Sequence, residues 1–137
     1  MKALKKTLIY DASVLIEIAL GSLLGKKAVE LVLNSDVYTT DFAISELYYI
    51  LCRKLGEAEA DVQVKKLIES NVILPIYVEP QEGGKIKCKR AISLADAFII
   101  ALANKINGFA VFAKKEREIV REIKKKPINN LLFLEDL

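Results

Sequence analysis

Between Thr7 and Phe133 short apolar runs alternate with stretches of helical period, and this alternation restricts the chain to a sheet whose strands are joined by helices. The strand-type runs are Thr7-Leu8-Ile9-Tyr10, Val37-Tyr38-Thr39, the stretch from Asn71 to Val78, Phe109-Ala110-Val111-Phe112 and Leu131-Leu132-Phe133. The expected fold is α/β, with three layers and a central, mainly parallel sheet of about five strands covered on both faces. Pro75 argues for an edge position or a local break in its strand.

Punctuation sets the helices between these runs. A short helix from Ser13 to Leu20 stops at Gly21, and a second is expected from Lys26 to Leu33, ended by Asn34-Ser35. Thr40 or Asp41 caps a third that runs through Glu46 to Leu55 and closes on Gly56. Glu57 to Ser70 reads as a polar-faced helix, and Gly83-Gly84 weakens a helical reading of Pro80 to Arg90. Ser93 opens a long apolar helix that Asn107-Gly108 ends, and a charged helix from Glu116 to Lys124 is followed by Pro127 as a stop. With 137 residues and no repeat or linker, residues 1–137 are expected to form one domain.

Composition removes several chemistries. The chain has no histidine, which excludes Ser-His and Cys-His catalysis and histidine-ligated zinc or iron. Its two cysteines, Cys52 and Cys88, are too far apart in sequence for a metal-ligand spacing and form no disulfide framework. Although 53% of residues are hydrophobic, no run approaches the roughly 18 apolar residues of a membrane span. The basic start Met1-Lys2-Ala3-Leu4-Lys5-Lys6 lacks a cleavage site, so a cytoplasmic protein without export signal or membrane association is expected. A net charge of +3 is too modest to select a partner.

Three carboxylates stand in apolar surroundings: Asp11 at the exit of the first strand, Glu46 within Phe42 to Leu51, and Asp96 within Leu94 to Ile100. Each has an ordinary explanation. Asp11 can cap the helix that starts near Ser13, Ser93-Leu94-Ala95-Asp96 matches a capping box with Asp for Glu, and Glu46 has Tyr49 and Arg53 on its helical face. Together, however, a strand end and two helix starts converge on one rim of the sheet, where several carboxylates repel unless a divalent cation lies between them. All-oxygen ligands without histidine point to Mg²⁺ or Mn²⁺, and a wet acidic cleft suits hydrolysis of phosphodiesters.

At these residues the chain resembles the PIN-domain family, in particular VapC-type toxins of prokaryotic toxin-antitoxin pairs. The matching segments are Tyr10-Asp11-Ala12-Ser13-Val14-Leu15-Ile16, Ser45-Glu46-Leu47, and Ser93-Leu94-Ala95-Asp96-Ala97-Phe98-Ile99-Ile100-Ala101-Leu102-Ala103. The resemblance implies a Mg²⁺- or Mn²⁺-dependent endoribonuclease. Asp11 and Asp96 are then the principal metal ligands, Glu46 the third acid, and Ser13 a holder of a water or a phosphate oxygen. The family's fourth acidic position usually reads Thr, any residue, Asp. Here Lys114 replaces the Thr and Glu116 the Asp, with Glu118 as the alternative fourth acid.

Lys114 and Lys115 beside the cleft are candidate phosphate contacts. Further candidate cations for RNA are Lys85, Lys87, Lys89 and Arg90 ahead of the Asp96 helix, and Arg117, Arg121 and Lys124 to Lys126. The implied partners are an RNA substrate, a small antitoxin whose tail covers the cleft, and a second copy of the chain through an interface including Leu47, Tyr48 and Tyr49. A haloacid-dehalogenase-type phosphotransferase needs a second Asp where Ser13 stands, and a phosphoreceiver needs an acidic pair where Asp11 is single. The altered fourth position keeps one other reading open, a weak or inactive PIN-like domain that acts as an RNA-binding or assembly module.

Overall fold

A computed structural model describes residues 5–137; the residues of the basic start at positions 1–4 lie outside the described residues. Five parallel strands are ordered β3-β2-β1-β4-β5: β1 (Lys6–Tyr10), β2 (Ser35–Thr40), β3 (Ile73–Ile76), β4 (Phe109–Phe112) and β5 (Leu131–Phe133). The expected α/β class and parallel sheet are both present. Pro75 lies in edge strand β3, opposite Thr39, the edge position expected of a proline within a sheet.

Helices α1 (Ala12–Leu20) and α2 (Leu23–Val32) join β1 to β2, and α3 (Asp41–Leu55) and α4 (Glu57–Glu69) join β2 to β3. The chain then crosses back through α5 (Pro80–Lys89) and α6 (Leu94–Lys105) to β4, and α7 (Arg117–Lys125) leads to β5. Right-handed crossovers put α1 to α4 on one face of the sheet and α5 to α7 on the other. Because β1 leads to one side and β4 lies on its other side, the strand order reverses between them. This is the position at which open α/β sheets form a ligand crevice.

The core explains most of the boundaries. Leu8, Ile9, Tyr10, Val111 and Phe112 in the central strands are buried between Leu15 and Leu47 on one side and Ile99 and Leu102 on the other. The Tyr10 hydroxyl donates to the Ala28 carbonyl at 2.6 Å, which ties α2 to the sheet and satisfies a buried polar atom. Leu47 belongs to this core at 1% exposure, so it is not available to the intermolecular interface expected from the sequence.

Two helices depend on contacts beyond their own segments, and one of them starts earlier than expected. Helix α2 begins at Leu23 rather than Lys26, because the Ser22 hydroxyl accepts the Gly25 N–H and caps it. A Cβ on Gly25 would lie 2.1 Å from the Glu17 carbonyl oxygen, so the close approach of α1 and α2 requires glycine there. Helix α5 forms in spite of Gly83-Gly84, since Pro80 starts it and Gly83 lets it close on α6, where a Cβ would stand 2.8 Å from the Phe98 ring. Among the described residues no helix is long and apolar enough to cross a membrane.

Candidate metal centre

The three elements that meet at the reversal point each deliver an acid. Asp11 follows β1 and caps α1: its extended backbone, φ −71° and ψ 162°, turns the chain, and its Oδ2 accepts the Ser13 N–H at 3.0 Å. Its own N–H donates to the Val111 carbonyl at 3.0 Å, fixing it between the two central strands. Asp96 lies in the first turn of α6, where the Ser93 hydroxyl accepts its N–H at 3.1 Å. Glu116 is the cap residue of α7, but its side chain makes no capping bond.

Carboxylate oxygens of Asp11, Asp96 and Glu116 lie within 4.8 Å of one another. Asp11 and Asp96 are buried, at 3% and 4% exposure, and Glu116 is half-buried. Asp11 Oδ1 and Asp96 Oδ2 are, among the described residues, the buried side-chain oxygens or nitrogens that lack a hydrogen-bond partner. Leaving two carboxylate oxygens orphaned at one place costs roughly 1–3 kcal/mol each unless a ligand satisfies them. The cap explanation for Asp11 is therefore correct and incomplete, since it uses only one oxygen.

Burial pushes the Asp96 carboxyl up to about 9, assisted by the charges of Asp11 and Glu116. Asp11 is also raised by burial, with bonds from the Ser13 backbone and side chain opposing the rise. Glu116 is raised by burial, while its contact with Asp96 pulls the other way. Without a cation, burial and mutual repulsion favour a proton held within the group, which lets the three carboxyls coexist. The donors are all hard oxygens and no nitrogen or sulfur stands with them, which fits Mg²⁺ or Mn²⁺ and not zinc.

The other sequence candidates are placed around this group. Glu46 is half-buried on α3, outside the set, and its pKa is raised by burial and then by the charges of Asp11 and Glu116. Glu118 is exposed and outside the set. The Ser13 hydroxyl accepts the Ala113 N–H at 3.1 Å and bonds Asp11 as well, so it braces the site. Lys114 is exposed beside the acids, whereas Lys115 is paired with Asp136 at 3.1 Å.

Several of the suggested RNA cations are occupied. Lys87 donates to the Ile92 carbonyl at 2.7 Å, Lys85 pairs with Glu82 at 3.4 Å, and Arg90 donates to the carbonyls of Glu122, Lys126 and Pro127 at the end of α7. Lys89, Arg117, Arg121, Lys124 and Lys126 remain exposed. Sequence reasoning missed Glu135 and Asp136, which hold the loop before Glu116; nothing in their spacing links them to that loop.

The sequence matches the family model of the PIN domain over residues 8–126. Comparison with curated proteins gives no match. Among solved structures, this chain is similar to the Mycobacterium tuberculosis toxin VapC20, described as cleaving the sarcin-ricin loop. The identity is 17% and the TM-score 0.65, covering 83% of this chain and 93% of that one. It is also similar to a Pyrobaculum aerophilum protein, at 16% identity and TM-score 0.68 over 97% and 94% of the two chains. A DNA-bound VapBC complex from Salmonella typhimurium gives 16% identity and TM-score 0.69 over 96% and 99%.

Proposed function

Because this chain belongs to the PIN-domain family, we propose that its acidic cluster is the active site of a Mg²⁺- or Mn²⁺-dependent endoribonuclease, the toxin of a VapBC-type pair. The observation that carries this reading is the pair of orphaned oxygens, Asp11 Oδ1 and Asp96 Oδ2, within an all-carboxylate group. Asp11 and Asp96 hold the cation, and Glu116 completes the set as the fourth acid in place of Glu118. A bound divalent ion supplies charge stabilisation for the attacked phosphate and makes water a better nucleophile.

The remaining work falls to this chain's own groups. Water attacks phosphorus and gives up a proton to a base, while the bond to the leaving ribose oxygen breaks and that oxygen takes a proton from solvent to leave as a hydroxyl. Glu46, outside the cluster but within reach of the charges of Asp11 and Glu116, has its pKa raised by burial and then by those charges, which makes it a stronger base than an ordinary carboxylate and suits a proton acceptor at that step. Lys114 offers an exposed cation to a flanking phosphate.

Similar folds occur in toxin-antitoxin complexes from Klebsiella pneumoniae and Salmonella typhimurium, which supports an antitoxin partner. An apolar groove between α1, α2 and α4, lined by Ile18, Val29, Val32, Leu33 and Leu67, offers that partner a seat. The other exposed apolar face, where Phe42 stacks on Phe98 with ring centroids 5.3 Å apart beside exposed Tyr77, supports a second copy as the partner there. Phe42→Asp should convert a dimer to a monomer in light scattering; an unchanged mass would remove this face from the interface.

Calorimetric titration of Mn²⁺ into the protein and into Asp11→Asn, followed by incubation with a mixed RNA pool, tests the central claim. Saturable uptake and cleavage by the parent, both lost in the variant, are expected. Expression of the parent should also arrest growth of a bacterial host and that of the variant should not. RNA binding without metal uptake or cleavage would replace the enzyme by the binding-module reading.

A further inference from the structure

After β5 the chain forms a 3₁₀ turn, Leu134–Asp136, that lies beyond the family-matched residues and against the loop leading to Glu116. That loop is short of internal support. Ala113 ends the strand region, α7 starts only at Arg117, and Glu116 has no side-chain capping bond to hold it over its own helix.

Contacts from the turn restrain the loop residue by residue. The Glu135 N–H donates to the Ala113 carbonyl at 3.2 Å, while the Ala113 N–H is held from the other side by Ser13. The Glu135 carboxylate accepts the Lys115 N–H at 2.6 Å, and the Lys115 ammonium pairs with Asp136 at 3.1 Å. The turn is itself anchored: the Leu134 side chain is fully buried, and the Lys27 ammonium of α2 donates to the Leu134 carbonyl at 3.1 Å and to an oxygen of Leu137. Glu116 is the next residue after Lys115.

We infer that the Leu134–Asp136 turn is a clasp that sets Glu116 against Asp11 and Asp96, with Glu135 and Asp136 as positioning residues; this rests on the metal-centre reading above. The two acids differ in weight. A charged acceptor on a backbone N–H fixes the chain directly, whereas the Lys115–Asp136 pair is half-exposed on both sides and is screened by solvent. Lys115 is accordingly a structural residue and Lys114 the cation left for substrate.

Glu135→Ala removes the acceptor, while Glu135→Gln keeps an oxygen in its place. Two readouts apply: amide hydrogen exchange at Lys115 in the metal-free protein, and Mn²⁺ affinity by calorimetry. In Glu135→Ala the Lys115 amide should exchange faster and Mn²⁺ should bind about tenfold more weakly, with Glu135→Gln close to the parent in both. If the parent binds Mn²⁺ and Glu135→Ala binds it equally well, the clasp assignment is overturned and the metal centre stands. If the parent binds no Mn²⁺, the metal centre falls and the assignment falls with it.

Discussion

Asp96→Asn is expected to lower RNA cleavage by about a thousandfold and, in the metal-free protein at neutral pH, to raise the thermal unfolding midpoint. The two effects have one origin. Asp96 is buried against Asp11 and Glu116, and its pKa is pushed up to about 9 because ionising it there is costly. Asn has nearly the same shape and is neutral without taking up a proton, so it removes the cost of keeping the buried acid protonated at neutral pH, a cost that a bound cation otherwise offsets. Relief of about 2 kcal/mol corresponds to a rise of roughly 5–8 °C for a chain of this size. Scanning calorimetry with a chelator present, paired with a cleavage assay, measures both. If Asp96 served only to satisfy the start of α6, the same substitution would leave cleavage intact and the midpoint unchanged or lower. A gain in stability with a loss of activity marks a functional carboxylate.

The fold was legible because its signals are local. Apolar runs such as Phe109-Ala110-Val111-Phe112 and caps such as Thr40, whose hydroxyl accepts the Ala43 N–H at 2.9 Å, are decided within a few residues. Local rules say least where they meet a long-range contact. Gly83 weakens a helix considered alone, yet α5 needs it to approach Phe98. Leu47 looks like an apolar surface residue in a helix that also carries Tyr48 and Tyr49, but only the folded chain shows that it faces the central strands.

The acidic site divides in the same way. Asp11 and Asp96 were visible as carboxylates in apolar runs, and their proximity followed from the expected parallel sheet. Whether Glu116 or Glu118 joined them depended on where α7 begins, and with Glu116 at its cap position the Glu118 side chain is left in solvent. The family resemblance gives Ser13 a water or a phosphate oxygen, and its place beside the cleft makes Lys115 a candidate phosphate contact. Their partners, Ala113 and the Glu135–Asp136 turn, come from distant parts of the chain, and no periodicity or spacing reports such pairings.

Metal-free protein should lose stability as pH rises from 5.5 to 7.5, and saturating Mn²⁺ should cancel or reverse that trend. The folded state holds a proton on Asp96 up to about 9, whereas the unfolded chain releases it near the ordinary value of 3.8. Between those values the unfolded state binds fewer protons, so the slope of unfolding free energy with pH is negative. The contribution is complete below about pH 4 and disappears as pH approaches 9. One differential proton gives about 1.4 kcal/mol per pH unit, hence a fall of about 2–3 kcal/mol across the range. No histidine titrates in the interval, and Glu122, shifted down by Lys125, and buried Tyr10, shifted up, lie outside it; Asp11, Glu46 and Glu116 are raised in the same direction as Asp96, so any proton they retain in the folded state adds to the same negative slope. Cation binding requires the deprotonated carboxylates, so Mn²⁺ affinity increases over the same two pH units in which the free site becomes less stable. At 100 times its Kd the ion contributes about 2.7 kcal/mol, enough to offset the loss. Unfolding midpoints at three pH values, with chelator and with Mn²⁺, measure both arms, and Asp96→Asn should reduce the slope of the first and abolish the second. A metal-free midpoint that stays level or climbs with pH would mean that the three acids ionise independently, and the case for a shared cation would be lost.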